Sequence, residues 1–118
     1  MSRARRRAAP RRLAVTGSAP IFAALGDEMR LRLVTRLGAG GPLSIAQLTE
    51  GTSVTRQAVT KHLHVLAEAG LVRGARQGRQ SRWELERARL DEARRALDVI
   101  SRQWDHTLGR LKEFVERF

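Results

Sequence analysis

Gln57, Thr60, Lys61 and His64 recur at i, i+3, i+4 and i+7 within a run from Arg56 to Ala69 that holds neither Pro nor Gly. On an α-helix these four share one face, while Val59, Leu63 and Leu66 fall on the opposite one. The polar set is suited to hydrogen bonding with a polyanion. Gln57 can pair with adenine, Arg56 and Lys61 can reach phosphate or guanine, and Thr55 and Thr60 can meet phosphate or a thymine methyl. By itself such a face is also what any solvated amphipathic helix shows. A second cluster adds to it: Arg76, Arg79 and Arg82 surround Gly78 with no carboxylate between them, a pattern that suits a strand pair lying along a phosphate backbone or in a minor groove.

Other chemistries find no residues to carry them. There is no nucleophile beside a placed base, no glycine-rich phosphate loop and no metal-ligand cluster, so neither catalysis nor a cofactor is expected. The absence of Cys removes disulfides, thiolate metal sites and thiol catalysis together. His62 and His64 stand two residues apart, about 200° around a helix axis, and cannot share a metal within one chain. Asp105 and His106 diverge in the same way. His62 is expected to pack or to face backbone, and His106 to face solvent.

Charge supports the polyanion. The 118 residues include 23 Lys and Arg against 12 Asp and Glu, a formal net charge of +11. Arg3, Arg5, Arg6, Arg7, Arg11 and Arg12 supply six of those charges, and subtracting them still leaves +5. Residues 1–18 hold almost no large apolar side chain and read as a flexible basic arm, either simply solvated or in contact with phosphates. No run approaches the length needed to cross a bilayer, which points to a soluble, cytoplasmic protein.

The elements that must position these residues are mostly helical. Ile21, Phe22, Ala24 and Leu25 make a short helix, and Asp27 caps a second one running through Arg36 that ends in the stretch Gly38 to Pro42. Ser44, with Gln47 three residues on, opens a third helix that Gly51 stops. The fourth helix, 56–69, closes at Gly70. Residues 71–85 lose the helical period and read as a two-stranded hairpin around Gly78. One long helix follows from about 88 to 118. On it Leu90, Leu97, Trp104, Leu111 and Phe118 recur every seven residues, widened by Ala93, Ile100, Leu108 and Val115. One small domain cannot cover so long a stripe. Packing against Ile21, Phe22 and Leu25 is expected to cover part of it and a second chain the remainder.

Two short helices joined by a tight turn, followed by a basic hairpin, form a winged helix-turn-helix pattern within residues 19–118. The segments Ala23-Ala24-Leu25-Gly26-Asp27, Met29 to Leu33, Leu43 to Leu48, Gln57 to Leu63 and Leu66 to Val72 resemble the ArsR family of bacterial repressors in unbroken order. The resemblance implies a mainly α fold with a β-hairpin wing, in which Thr55, Arg56, Gln57, Thr60, Lys61 and His64 contact DNA from the recognition helix and Arg76, Arg79 and Arg82 from the wing. It also implies a homodimer built from the terminal helices, so that Ile21, Phe22, Leu25, Leu90, Leu97, Ile100, Trp104, Leu108 and Leu111 are expected at the interface. The chain departs from metal-sensing members, which use Cys near the third helix or Asp and His ligands on the last. The expectation is a repressor that binds an inverted-repeat operator in double-stranded DNA, with no metal effector. The competing reading is an architectural DNA- or RNA-binding protein indifferent to sequence. With aromatic residues at 4% and no Tyr, it has few platforms on which single strands could stack.

Overall fold

The structure, a computed structural model, describes residues 15–117. Most of the expected basic arm, residues 1–14, and Phe118 of the apolar stripe lie outside the described residues. Residues 15–17, the last part of the expected arm that is described, are helical, and Ser18 is buried.

The element order is α1 (Ala19–Leu25), α2 (Glu28–Gly40), α3 (Ile45–Thr49), α4 (Arg56–Glu68), β1 (Val72–Gln77), β2 (Gln80–Leu85) and α5 (Arg87–Glu116). Two compact units divide it, one of Ala19–Leu90 and the other holding α5 from Asp91 with residues 15–18. The first unit contains Ile21, Leu33, Leu37, Leu48, Val59, Leu63, Leu66 and Leu71, all sealed from solvent. Their spacing on α2 and α4 is the i, i+4 and i, i+4, i+7 pattern that turns one helix face inward. In the second unit Ala93 and Ala96 are buried and Val99 is half-buried, whereas Leu97, Ile100, Trp104, Leu108 and Leu111 are exposed.

Local signals place most of the boundaries. Asp27 caps α2 by accepting from the Arg30 backbone N–H at 3.0 Å. Helix α2 does not stop at Arg36 as expected but runs through Gly38 to Gly40. A glycine in a helix costs only about 1 kcal/mol, which the burial of Leu37 offsets, and the stop comes at Gly41, where φ is +72° and the N–H bonds the Leu37 carbonyl. At α3 the Ser44 Oγ accepts from the Gln47 N–H at 3.2 Å while Gln47 Oε1 accepts from the Ser44 N–H at 2.9 Å, a complete capping box. The far end of this five-residue helix is held from α2, because the Arg36 guanidinium donates to the carbonyls of Gln47 at 2.7 Å and Leu48 at 2.8 Å.

Helix α4 ends in a Schellman arrangement: Leu71 N–H bonds the Leu66 carbonyl at 2.9 Å and Gly70 N–H the Ala67 carbonyl at 2.9 Å, with Gly70 at φ +77°. Leu71 and Leu66 are both fully buried, which supplies the apolar contact of that motif. Strands β1 and β2 pair antiparallel from Val72↔Leu85 to Gln77↔Gln80, leaving Gly78-Arg79 as a two-residue turn. Gly78 takes φ +62° and Arg79 has no positive φ, the combination of a hairpin turn with glycine first. The sequence pattern indicated two strands; the structure adds a third partner, an isolated bridge between Leu43 and Trp83.

Candidate nucleic-acid interface

The outward side of α4 carries the polar residues expected there. Arg56, Gln57, Lys61 and His64 are exposed and Thr60 is half-buried. Together with Ile45 at the start of α3, these five line one shallow depression of about 660 Å³. Its lining includes Arg56 and Lys61 and no carboxylate, so it is suited to an anionic ligand. Thr55 stands apart from the lining as the N-cap of α4, its Oγ1 accepting from the Ala58 N–H at 3.1 Å. It can still donate its hydroxyl hydrogen outward, beside the positive end of the helix dipole. Thr60 donates its hydroxyl to the Arg56 carbonyl at 2.8 Å, so its methyl and a remaining lone pair are left for a ligand.

Two residues of this region were not expected from sequence. Ile45 follows the Ser44 cap and looks like an ordinary first apolar position of α3, yet it shares the depression with the α4 side chains. Trp83 on β2 sets its ring 6.0 Å from that of His64, tilted by 56°, and so links the hairpin to the outward side of α4. The Trp83 indole N–H is shielded from solvent and has no hydrogen-bond partner among the described residues.

The three hairpin arginines do not share one face. Alternation along the strands puts Arg76 on the side of Ser81 and Trp83, and Arg82 on the side of Ala75 and Glu84, with Arg79 at the turn. Arg76 and Arg79 are exposed, whereas Arg82 is half-buried, with Nη2 donating to Gln80 Oε1 at 3.1 Å. Arg73, on the same side as Arg82, binds Glu84 at 2.6 Å, and that hydrogen bond raises its pKa above the ordinary guanidinium value.

His62 is part-buried and meets side chains, not backbone: Nδ1 lies 3.3 Å from Arg30 Nη1 and 3.8 Å from Asp27 Oδ2. The Asp27 carboxyl is held below its ordinary pKa, first by the hydrogen bond from the Arg30 backbone N–H, with His62 and the Arg30 guanidinium adding to it against some desolvation. His106 is exposed. Among the described residues no group of three or more His, Cys, Asp or Glu could hold a metal ion.

The residues expected at a shared interface fall into two sets. Leu97, Ile100, Trp104, Leu108 and Leu111 are exposed along α5, Trp104 to 61%, and Phe114, which the seven-residue pattern passed over, joins them. Phe22, Leu25 and Leu90 are half-buried. Ile21 is only 1% exposed in the single chain, so it belongs to the core and leaves the interface set. It turns inward with Ala24, in keeping with the intrachain packing also expected of it.

Comparison with known proteins fits this geometry. The family described as Helix-turn-helix domain matches residues 25–75. The chain is 42% identical over 65 residues to the HTH-type transcriptional regulator YuzN of Bacillus subtilis (strain 168), covering 50% of this chain and 71% of that one. The solved ArsR-like transcriptional regulator from Rhodococcus sp. RHA1 superposes with a TM-score of 0.71 at 37% identity, over 82% of this chain and 91% of the other. The homodimeric winged helix-turn-helix DNA-binding domain of Mb0332 from Mycobacterium bovis shares the fold, with a TM-score of 0.59 at 24% identity over 84% of this chain and 90% of the other. These relatives are transcriptional regulators and not enzymes. The short capped α3, the outward polar side of α4, the basic hairpin and this extent of likeness lead to one conclusion: the chain belongs to the ArsR family of winged helix-turn-helix transcriptional regulators.

Proposed function

We propose that the chain reads a specific sequence in double-stranded DNA as a homodimer and represses transcription from the cytoplasm of its cell by occupying an inverted-repeat operator. The observation that carries the reading is the shared depression of α4, where side chains able to pair with bases and to bind phosphate stand side by side on a helix of thirteen residues, long enough to enter a major groove. Arg76 and Arg79 add salt-sensitive affinity at the wing. The apolar side of α5 supports a second copy as partner, as does the homodimeric Mb0332 domain. Two recognition helices about 34 Å apart would then enter successive major grooves. The chain has no Cys and the described residues gather no group of three metal-binding side chains, so affinity is expected to be indifferent to zinc, cadmium or arsenite.

Selection of bound duplexes from a random pool by the purified protein tests the whole reading. Enrichment of one inverted repeat is expected. Binding that enriches nothing and depends only on duplex length would replace it with an architectural role.

A further inference from the structure

We infer that Ile45 reads the 5-methyl group of a thymine in each half-site, which makes the first residue of α3 a specificity determinant beside the recognition helix. This inference rests on the sequence-reading function proposed above. Of the six side chains lining the depression, Ile45 is the only one built of carbon alone. The others offer donors, acceptors or charge: Arg56, Gln57, Thr60, Lys61 and His64. Among the groups a base pair shows in the major groove, the thymine methyl is the one that an all-carbon side chain matches. Cytosine has a hydrogen in its place. Thr60 extends the apolar part of the wall, because its hydroxyl hydrogen is engaged by the Arg56 carbonyl and its methyl remains.

A side chain that discriminates one methyl group must be held in place before the ligand arrives. For Ile45 that condition is met by its neighbours, which hold the backbone on both sides of it. The residue before it, Ser44, is locked by the reciprocal hydrogen bonds with Gln47. Leu43 is tied to Trp83 by the bridge, with N···O distances of 2.9 and 2.8 Å. Beyond it, Arg36 grips the carbonyls of Gln47 and Leu48. Helix α3 is thereby fixed at its two ends, and Ile45 remains partly exposed inside the depression.

Replacement of thymine by deoxyuridine removes the methyl and keeps every hydrogen-bonding group, so it isolates this contact. In the duplex selected by the full chain, each thymine of one half-site is replaced in turn and the affinity measured. At one position the wild type should lose about fourfold, the value of one buried methyl. The Ile45→Ala variant should bind thymine and uracil equally there. Thermal melts accompany the variants; should Ile45→Ala fail to fold, Ile45→Val carries the comparison, with the uracil penalty falling to about twofold. If the wild type binds its selected sequence and no thymine shows a uracil penalty that depends on residue 45, Ile45 is a packing residue and the inference is overturned. If no sequence is selected at all, the sequence-reading function itself falls, and this inference with it.

Discussion

Leu43 and Trp83 exchange two backbone hydrogen bonds, the Leu43 N–H to the Trp83 carbonyl at 2.9 Å and the Trp83 N–H to the Leu43 carbonyl at 2.8 Å. This single antiparallel bridge joins the segment leading into α3 to the second strand of the wing. The Trp83 ring then reaches His64, so the hairpin is braced against α3 at one point and α4 at another. Substitutions at the exposed tip of the wing should therefore act on DNA contact and leave the helices in place.

Arg76→Gln and Arg79→Gln are each expected to weaken binding to all sequences alike and to lower the slope of log affinity against log salt by about 1. Arg82→Gln should change the slope less, because its guanidinium is half-buried and bonded to Gln80. Titrations at several salt concentrations on selected and random duplexes check this. An unchanged slope in the first two variants would take the wing out of the interface.

Gln57→Ala and Thr60→Ala should each cost about 1–3 kcal/mol on the selected sequence and little on random DNA. Equal losses on both would reassign the two side chains to the phosphate backbone.

Gly70→Ala tests the end of α4. A Cβ at this φ of +77° would lie 2.7 Å from Arg89 Nε and 3.2 Å from its Cγ, so that side chain must shift in addition to the strain of the backbone conformation. The expected loss is about 1–2 kcal/mol in urea unfolding, with little change in DNA discrimination. A variant as stable as the parent would contradict the left-handed cap.

Acid should loosen the first turn of α2. The Asp27 pKa is lowered from its ordinary 3.8, so its contribution is fully present above that value and is lost as pH falls through the lower, folded one. Asp27→Asn keeps a capping oxygen and removes the charge. Its stability should therefore fall less than that of the wild type as pH is taken below about 4, as followed by thermal melts. Parallel curves for the two proteins would show that the carboxylate contributes nothing.

Leu97→Glu combined with Trp104→Glu places two charges on the apolar side of α5. Sedimentation of the wild type at micromolar concentration should show a dimer, and the double variant a smaller species. Affinity for the inverted repeat should drop by about 100-fold or more as bivalency is lost. A wild-type monomer that binds the inverted repeat tightly and without cooperativity would refute the homodimer.

The features read correctly from the sequence are those written in short range. Asp27, Ser44 with Gln47, Gly70 and Gly78 each act within three or four residues, and the caps and turns fall where they indicate. The outward side of α4 was legible for the same reason, since helical spacing alone sorts Gln57 and Lys61 from Val59 and Leu63. What was missed depends on distant partners. The Leu43–Trp83 bridge spans forty residues, and Ile45 enters the depression only because of how α3 sits against α4. Burial places Ile21 with the intrachain packing also expected of it and not at the shared interface, and strand alternation puts Arg82 on the side opposite Arg76. Helix α2 outlasts Arg36 and ends inside the expected stretch Gly38 to Pro42, at Gly41, because of the glycines there only Gly41 adopts a positive φ.

The division of labour around α4 makes it a cassette. Val59, Leu63 and Leu66 are sealed in the core, whereas Arg56, Gln57, Lys61 and His64 stand in solvent on the other side of the same thirteen-residue helix. Exposed substitutions away from caps and core shift stability by only about 0.5 kcal/mol, and distant ones add nearly independently. The outward set can thus be rewritten while the inward one is kept. A library randomised at Arg56, Gln57 and Lys61, with His64 kept for its contact with Trp83, should yield folded proteins retargeted to different operators, with the scaffold unaware of the change of address.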